Sequence, residues 1–595
     1  MNRAFRNQAR RHCAVVLIVL AGLLGAAGCV NVPTTGPIRK VEGQQPGCQN
    51  CVNVVVAPPA AGDKPTDIVE GYLRATSNYQ PNYSVAKQFL SQMAAEKWSP
   101  ETGVRIYVGT PAATAKSDTV RLSGRLVGEL EADRTYVARD TTLKVDFHLV
   151  EENGEWRIDN PLPGLMVAEY SFTSFYQPYD LYFVGNGSAL VPDHIYLPAL
   201  SNPANVASAL MKALLKGPSR WLKPAVTSAI PPNTSLSVDS VTITDGIAEV
   251  PLSDTVLALA DPQRSLLAAQ IVYTLRQVGG VKGVLIKANQ QPYRVLPGSD
   301  PTSPTISVDA IPRDIDPVPF VSGDQLYAVD GRAVKRVRTT ANTPATEPLE
   351  GPLGQGKLSV DALAVSMTNT DLAVTTDRRT TLRRAPITPG EPSTPSTVLS
   401  GVTDLLRPQF TRYGEIWVIG RQGGRQRMWM STEKKPIEVE TPVLRDGTVT
   451  AFKISPDGTR IALVRATGTG FELGLARIIR SQDKIMVNGW RALNTAQTAM
   501  PPIRTIADVA WLDGTELLVL GATYSDSANT PYRVVEDASR ITAEGEPQNW
   551  DAEELAVLPW TQTAIIIGRT GNTWKDDGSE WLPFLEDVST IAYPG

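Results

Sequence analysis

The sequence predicts a multidomain protein in which two α+β domains are followed by an all-β C-terminal propeller of about six blades. Its 595 residues are enough for several domains. Helix patterns alternate with strand patterns up to about residue 310, and strand patterns alone follow. The 46 Gly and 46 Pro residues favour a turn-rich, largely β architecture. With 42% hydrophobic residues, wholesale disorder is excluded.

Residues 1–28 are predicted to be an export signal. A basic stretch, MNRAFRNQARRH, precedes an apolar run from Ala14 to Ala27, which is the pattern of a secretory signal. The run of 14 residues is shorter than the roughly 20 that a membrane-spanning helix needs. The sequence therefore favours a cleaved signal over a transmembrane helix.

The residues that end this segment indicate lipid attachment. Ala26, Ala27 and Gly28 stand directly before Cys29 and resemble the bacterial lipobox, although Ala26 occupies a position where Leu is commoner. The resemblance implies that Cys29 becomes the N-terminal residue and carries a thioether-linked diacylglycerol and an N-acyl chain, and several chains give stable anchoring. The predicted location is the extracytoplasmic face of the cell membrane. A soluble secreted protein cleaved near Ala27 is the alternative.

Residues 29–64 are predicted to be a flexible tether, because they are rich in Pro, Gly and Gln. The tether contains Cys48 and Cys51. Without a second cysteine pair for zinc, and without a strand and helix to frame a redox motif, a local disulfide in an oxidising compartment is favoured over free thiols.

Charge and histidine content exclude several classes of function. The net charge is −4, and removal of residues 1–28 takes away four arginines and no acidic residue. A mildly acidic body argues against nucleic acid as a partner. Only His148 and His194 lie beyond the signal segment, which disfavours imidazole-rich metal sites. The sequence predicts no catalytic residue, no metal ligand and no cofactor site.

Residues 65–164 are predicted to form an α+β domain. Helical spacing in PTDIVEGYLRATSN and a second amphipathic stretch from Val85 to Trp98 precede four strand-like runs. This order resembles NTF2-like or cystatin-like folds, which often enclose a pocket. His148 alternates with apolar neighbours in the third run and is interpreted as a sheet residue without a catalytic role.

Residues 165–310 carry clear helix signals. Asn202 precedes Pro203 in the first predicted helix, and Asp261 precedes Pro262 in the second, so each is expected to cap its helix. Asp245-Gly246 predicts a hairpin between the two helices. Because KGP, DGIAEV, QIVYTL and VKGV occur in this order, the segment resembles the GerMN domain of exported bacterial proteins, which implies binding to peptidoglycan or protein.

Residues 311–595 contain six related units, each a short strand, a turn and a stronger apolar strand. They begin near residues 317, 361, 407, 451, 508 and 555, and their spacing fits four-stranded blades. In the fourth unit, Ser455-Pro456-Asp457-Gly458 resembles the turn of TolB-type propellers. Asp457 is therefore interpreted as a turn residue.

A lipobox, an NTF2-like region, a GerMN domain and a propeller in this order resemble the LpqB family of actinobacterial lipoproteins. WRI at residues 156–158 and PLPGL at residues 161–165 also agree with the family. The resemblance implies an accessory role in the MtrAB two-component system, through contact with the extracytoplasmic domain of an MtrB-like sensor histidine kinase. The signalling concerned would control cell-wall growth and division.

Three functions are weighed from the sequence. The favoured one is a membrane-anchored signalling or scaffold lipoprotein that binds protein. The second is a peptidoglycan or envelope-glycan binding protein, for which Trp417, Trp429 or Trp511 would need exposed rings. The third is an enzyme that uses carboxylates near the propeller channel. The candidate carboxylates are Asp361, Asp508 and Glu516.

The lipobox generates a direct test. Cys29→Ala should release the protein from membranes, because the only predicted acylation site is removed; membrane and soluble fractions are compared by immunoblot. Cys13→Ala, within the signal segment, is the matched control and should stay with the membrane. Retention of Cys29→Ala in washed membranes would contradict the lipoprotein prediction.

Overall fold

The computed structural model describes residues 57–595 apart from short gaps. The gaps are residues 115, 296–303, 322–324, 341–342, 389, 433–434, 469, 483, 496–501, 525–527 and 546–549. The predicted signal segment, most of the tether, and Cys29, Cys48 and Cys51 lie outside the described residues. Within the described residues, no helix has the length and apolar character needed to cross a membrane.

The first domain packs helices against one five-stranded sheet. Its helices are α1 Pro65–Ser77, α2 Ser84–Gln88, α3 Gln92–Lys97 and α4 Glu169–Phe175. Its strands are β1 Val104–Ala113, β2 Thr119–Leu130, β3 Tyr136–Glu152, β4 Glu155–Ile158 and β5 Leu165–Ala168. The sheet order is β4-β3-β2-β1-β5, and only the β1–β5 pair is parallel. Because β5 pairs with β1, this sheet extends past the boundary at residue 164 that the sequence suggested.

The predicted first helix forms with the apolar stripe that its spacing indicated. Ile68, Val69 and Tyr72 are fully or almost fully buried. A Cβ on Gly71 would lie 2.3 Å from a ring carbon of Phe89, so glycine allows the close approach at this point. The second amphipathic stretch is two short helices, because Ile158 of β4 donates a backbone hydrogen bond to the Phe89 carbonyl at 2.9 Å.

The second domain contains the predicted elements and one that was missed. The missed element is a hairpin of β6 Tyr176–Val184 and β7 Leu190–Pro198. The remaining elements are α5 Pro203–Leu215, β8 Thr242–Thr244, β9 Ile247–Leu252, α6 Asp261–Leu275, β10 Gly283–Ala288, β11 Gln291–Pro292 and β12 Ile306–Ser307. Strands β9 and β10 are parallel, and α6 is buried without a break from Leu267 to Leu275.

Two of the three local sequence signals in this domain correspond to the structure. Asn202 caps α5 as predicted, since its side-chain oxygen accepts from the Ala204 amide at 2.9 Å. Asp245 and Gly246 form the predicted turn, with φ of 53° and 83°. The predicted Asp261 cap is wrong: α6 begins at Asp261 itself, and the carboxylate lies 3.4 Å from Arg264 Nη1.

The C-terminal region is an all-β array of six four-stranded sheets, as predicted. Blade 1 contains β13 Leu326–Asp330, β14 Ala333–Thr340, β15 Thr343–Pro348 and β36 Val588–Ala592; blade 2 contains β16 Val360–Val365, β17 Asp371–Thr376, β18 Thr381–Pro386 and β19 Ser396–Leu399. Blade 3 contains β20 Gln409–Phe410, β21 Ile416–Gln422, β22 Arg425–Ser431 and β23 Ile437–Val439; blade 4 contains β24 Thr448–Ile454, β25 Arg460–Thr467, β26 Gly470–Ser481 and β27 Lys484–Ala492. Blade 5 contains β28 Thr505–Trp511, β29 Glu516–Ala522, β30 Thr530–Val535 and β31 Ile541–Ala543; blade 6 contains β32 Ala552–Leu558, β33 Thr563–Gly568, β34 Thr573–Asp576 and β35 Trp581–Pro583.

The propeller closes through a strand from the end of the chain. In blades 2 to 6 the first strand of each unit is innermost, whereas in blade 1 the innermost strand is β36, which pairs with β13. The first predicted unit is therefore only half right, because residues 317–320 form no strand. Pairing of sequence-distant strands joins the ring and leaves no open edge between first and last blades.

The two faces of the propeller differ in what they contact. We call the end with the loops 411–415, 455–459 and 512–515 the closed face, and the opposite end of the strands the open face. Tyr196 of the second domain lies 2.5 Å from Ser539 Oγ, on a closed-face loop. Arg412, also on the closed face, donates to the Asp316 carbonyl at 2.6 Å. The second domain and the segment that precedes the first blade therefore contact the closed face.

A second contact involves the outer strands of blade 4. The Trp221 indole donates to the Gly489 carbonyl at 2.8 Å. The guanidinium groups of Arg477 and Arg491 lie 5.6 Å and 5.7 Å from the centre of the Trp221 ring, within reach of a cation–π interaction. Arg491 also donates to the Tyr136 carbonyl of the first domain. All three domains thus meet beside blade 4.

His194 lies at the junction of the second domain and the propeller. Its Nδ1 is 2.7 Å from Asp180 Oδ1 across the β6–β7 hairpin. Burial lowers the pKa of His194, but the hydrogen bond and charge of Asp180, with the charges of Asp537 and Glu536, outweigh it and raise the pKa to about 9. The imidazolium form is therefore stabilised in the folded protein.

This pKa predicts a pH-dependent contribution to stability. Because the folded value lies above the unfolded 6.5, the contribution of His194 is complete below about pH 6.5 and is lost as the pH rises through 9. The difference in unfolding free energy between wild type and His194→Gln should shrink by about 3 kcal/mol between pH 6 and pH 9.5, measured by urea unfolding. His148→Gln is the control; a His194 difference that is constant with pH would contradict the assignment.

Candidate functional site: the central channel of the propeller

Six inner strands surround the central channel: β36, β16, β20, β24, β28 and β32. Five of them carry a β-bulge near the open face, at Ser589, Asp361, Thr450, Ala507 and Glu553. The sixth, β20, is only two residues long. A bulge re-aims the side chains beside it and ends regular pairing, so the rim of the channel is built from repeated irregular positions.

The channel is wide at the open face and nearly filled at the closed face. The cavity at the open end has a volume of about 310 Å³. It is lined by Arg379, Leu406, Arg407, Gln409, Thr450, Ala451, Phe452, Lys453, Ala507, Asp508, Val509, Ala510, Asn529, Glu553, Glu554 and Leu555. Toward the closed face only about 30 Å³ remains, between mainly apolar side chains such as Val318 and Trp560.

Arg407 is the centre of the charged groups in the cavity. Its Nη1 donates to the Leu555 carbonyl at 2.6 Å and lies 3.6 Å from Asp508 Oδ2, and its Nη2 pairs with Glu554. The Asp508 carboxylate also accepts from the Leu555 amide at 2.8 Å and the Val509 amide at 2.9 Å. Both carboxylates are therefore held in place by donors from the propeller itself.

Burial changes the proton affinities of these groups. It raises the pKa of Asp508, although the positive charge of Arg407 opposes the shift. It lowers the pKa of Lys453 to about 8, with a further lowering by the charge of Arg407. Perturbed groups in a cleft mark a candidate functional site.

The carboxylates suggested from the sequence do not converge. Asp508 lines the cavity, and Asp361 accepts from the Arg379 amide at 2.8 Å on the neighbouring rim. Glu516 lies at the start of β29, toward the closed face, and pairs with Arg533 at 3.0 Å and Arg540 at 3.1 Å. The structure brings Asp508 together with Glu554, which the sequence did not single out.

The three tryptophans named as glycan-binding candidates are buried, and His148 lies within a strand of the first domain. Trp417 and Trp511 have no exposed surface, and Trp429 is 5% exposed, so their rings are not open to a glycan. His148 lies on β3, with its Nδ1 3.3 Å from Thr119 Oγ1. In the described part of the chain, no cluster of three or more His, Cys, Asp or Glu side chains is arranged to hold a metal ion.

Asp457 is a turn residue, as predicted. Its Oδ1 accepts from Ser455 Oγ at 2.9 Å and from the Thr459 amide at 2.8 Å. Its other oxygen pairs with the buried Arg460 at 2.6 Å. The side chain therefore fixes a closed-face loop rather than facing the channel cavity.

Comparison with known families identifies the architecture. The profile described as "Lipoprotein LpqB, N-terminal domain" matches residues 58–173. The Germane profile, described as "Sporulation and spore germination", matches residues 180–294. The profile described as "Lipoprotein LpqB beta-propeller domain" matches residues 334–594. The chain belongs to the LpqB lipoprotein family.

Several relatives named Lipoprotein LpqB match this chain over most or nearly all of its length. The protein of Cutibacterium acnes is 28% identical over 97% of this chain and 98% of its own. The protein of Streptomyces coelicolor is 25% identical over 99% of both, and that of Mycolicibacterium smegmatis is 26% identical over 76% of this chain and 78% of its own. Membership in a lipoprotein family implies a membrane-anchored lipoprotein, and the matched profiles describe lipoprotein and spore-germination domains.

The cluster around Arg407 predicts a stability effect. Arg407→Leu leaves Asp508 and Glu554 without their shared cation, so the free energy of unfolding should fall by about 3 kcal/mol, measured by urea unfolding. Adding Glu554→Gln should recover part of the loss. Arg427→Leu, in an exposed pair with Glu438, should cost less than about 1 kcal/mol. Equal losses for the two single variants would contradict this account of the channel.

Proposed function

We propose that the protein is a lipid-anchored lipoprotein on the extracytoplasmic face of the cell membrane that binds another envelope protein through the open face of its propeller. The partner suggested by the family resemblance is the extracytoplasmic domain of an MtrB-like sensor histidine kinase. Binding would tune the kinase in the MtrAB system that controls envelope growth and division. Cys29 would carry the diacylglycerol and the N-acyl chain, typically palmitate.

The observation that carries this proposal is the asymmetry of the two propeller faces. The described hydrogen bonds from the first two domains reach the closed face and the outer strands of blade 4. The open face is free of them in the described residues. An uncovered propeller face is a broad surface suited to protein binding.

Charge is distributed unevenly over the open face. Arg378, Arg425, Arg445 and Arg504 are exposed there and form no ion pair within the described residues. A cavity of about 620 Å³ between blades 3 and 4 is lined by Arg421, Arg425, Arg427 and Arg445. Such a charge pattern favours encounter with a partner of complementary charge.

Acidic groups lie on another side of the same face. A cavity of about 650 Å³ between blades 6 and 1 is lined by Asp330, Glu553, Glu554 and Asp587, with Arg569. A partner that contacts both the basic and the acidic region would bind in one orientation. In a rotated complex, groups of like charge would face each other and repel. This supports a folded protein partner over a uniform polymer.

Binding of peptidoglycan or another envelope glycan, without catalysis, is the alternative. The GerMN resemblance supports it. The burial of Trp417, Trp429 and Trp511 counts against it, because the aromatic rings named as candidates for stacking are not available on the surface. Sedimentation of the protein with purified cell walls separates the two functions.

The test uses the full lipidated chain reconstituted in liposomes with the full-length MtrB-like kinase. We expect co-purification of the two proteins and a changed rate of kinase autophosphorylation. The double variant Arg425→Glu/Arg445→Glu should weaken binding at least tenfold, because it reverses two exposed charges on the open face. Arg74→Glu, an exposed reversal on the first domain, is the matched control.

The outcomes distinguish the candidates. Binding by wild type and by Arg74→Glu, but not by the double variant, supports the kinase and the open face together. Binding that the double variant does not weaken would move the interface to another surface. No binding and no change in rate, with pelleting on cell walls, would replace the kinase by an envelope glycan.

A further inference from the structure

The channel cavity contains a buried amide with an unsatisfied acceptor. Gln409 is 3% exposed and lines the cavity. Its Oε1 has no hydrogen-bond partner among the described residues, although the great majority of buried polar atoms in folded proteins have one. A hydroxyl or N–H group of a bound molecule would supply the missing donor.

The charged side chains of the cavity leave no net charge for a ligand to neutralise. Three cations and three carboxylates line it: Arg379, Arg407, Lys453, Asp508, Glu553 and Glu554. Arg407 holds Asp508 and Glu554. Lys453 donates to a Gly595 oxygen at 3.4 Å. Because a charged ligand would lose its hydration at a wall that is neutral as a whole, the cavity favours a neutral ligand.

The same wall keeps unused capacity for hydrogen bonds. A carboxylate offers about four acceptor positions, and in the described residues Glu554 accepts only through Oε2, from Arg407. The guanidinium of Arg379 donates to no group in the described part of the chain. Since a hydroxyl group both donates and accepts, several hydroxyls on one molecule can donate to Gln409 and Glu554 and accept from Arg379. The wall is therefore suited to a hydroxyl-rich molecule.

The shape of the cavity limits what can bind. Its volume of about 310 Å³ lies at the lower end of the range for small-ligand pockets. The cavity is blind, because Val318, Trp560 and their neighbours leave only about 30 Å³ toward the closed face. A ligand must therefore enter from the open face. One sugar ring meets these limits, whereas the interior of a glycan, which continues in both directions, does not.

We propose that the channel cavity binds one neutral sugar unit, whose hydroxyl groups donate to Gln409 and Glu554. The unit is a free monosaccharide or the terminal residue of a glycan, because the cavity recognises the same chemistry in both. Binding through hydroxyl groups needs no exposed aromatic ring, so it is compatible with the burial of Trp417, Trp429 and Trp511. The site does not depend on the identity of the kinase partner.

The test is saturation-transfer difference NMR of the full chain at pH 7, in a detergent without a sugar headgroup. The neutral probes are D-glucose, D-galactose, D-mannose and N-acetyl-D-glucosamine; D-glucuronate and D-glucosamine are matched probes with a negative and a positive charge. We expect saturable binding of at least one neutral probe with a Kd of about 1 mM or tighter, and at least tenfold weaker binding of the charged probes. A cavity that holds only water gives no saturable signal. That result, or equal affinity for neutral and charged probes, would overturn the proposal.

Variants assign the binding to the cavity. Gln409→Met should weaken binding of the neutral probe about tenfold or more, because a ligand hydroxyl would then be buried without its acceptor. Gln92→Met, the same substitution at an exposed glutamine of the first domain, should leave the affinity unchanged. Binding that Gln409→Met leaves intact would place the sugar elsewhere and refute the site.

A substitution at the rim covers the case in which Gln409→Met fails to fold. Thr450 lines the cavity and is exposed, so the indole of Thr450→Trp should cover the entry and weaken binding at least tenfold. Gln422→Trp, at an exposed position on the open-face end of β21, is the matched control and should bind as wild type does. Unchanged affinity of Thr450→Trp would refute the site.

Trisaccharides distinguish the two sources of the sugar unit. Maltotriose is compared with D-glucose, and chitotriose with N-acetyl-D-glucosamine, in the same NMR titration. Equal affinity of a trisaccharide and its monosaccharide supports the end of a glycan as the ligand. At least tenfold weaker binding of the trisaccharide supports a free monosaccharide.

Discussion

One buried arginine holds the closed face of the propeller together. Arg460 has no exposed surface, and its guanidinium donates to Asp457 at 2.6 Å, to the Gly514 carbonyl at 2.7 Å and to Glu536. A buried charge is tolerated only when its partners are complete. Asp457 and Glu536 compensate that charge, and with Gly514 they fix three loops of blades 4 and 5 relative to one another. Burial also raises the pKa of Glu536 to about 7, against the charge of Arg460.

The second domain packs against the same closed-face loops that Arg460 fixes. The Tyr413 hydroxyl lies within hydrogen-bond distance of the Asn186 carbonyl and, at 3.2 Å, of the Asp457 carbonyl. The turn that Arg460 holds is therefore in contact, through Tyr413, with the β6–β7 hairpin. Ser539, three residues after Glu536, meets Tyr196. The negative charges of Asp537 and Glu536 raise the pKa of His194. The closed face is thus rigid and occupied because its buried charges and its interdomain contacts use the same loops.

Local patterns predicted the domain elements well, and long-range pairing decided the rest. The α5 helix with its Asn202 cap and the hairpin at Asp245-Gly246 depend on neighbouring residues, so the sequence could indicate them. The inner strand β36 pairs with β13 across some 260 residues, and nothing local to either marks the other. The interruption of the second predicted helix at Phe89 depends in the same way on Ile158. The Asp261 cap failed because a proline near a helix start does not fix which residue is first.

The channel site could not be predicted from the sequence, because its residues also come from distant parts of the chain. Asp508 was one candidate among many carboxylates, and its partners Arg407 and Glu554 come from other blades. Arg407 lies just before the inner strand of blade 3, whereas Asp508 and Glu554 lie on the inner strands of blades 5 and 6. The circular arrangement of the blades brings the three side chains together at the channel. Alternation alone would not place the rim side chains correctly, because the bulges at Thr450, Ala507 and Glu553 interrupt it. The repeat therefore sets the scaffold, and a deviation from the repeat, recurring at the same depth in successive blades, forms the cavity. The bulge recurs at the same position in five of the six blades, but it carries a different side chain in each. A fold with repeated geometry therefore forms an opening whose chemistry differs from blade to blade.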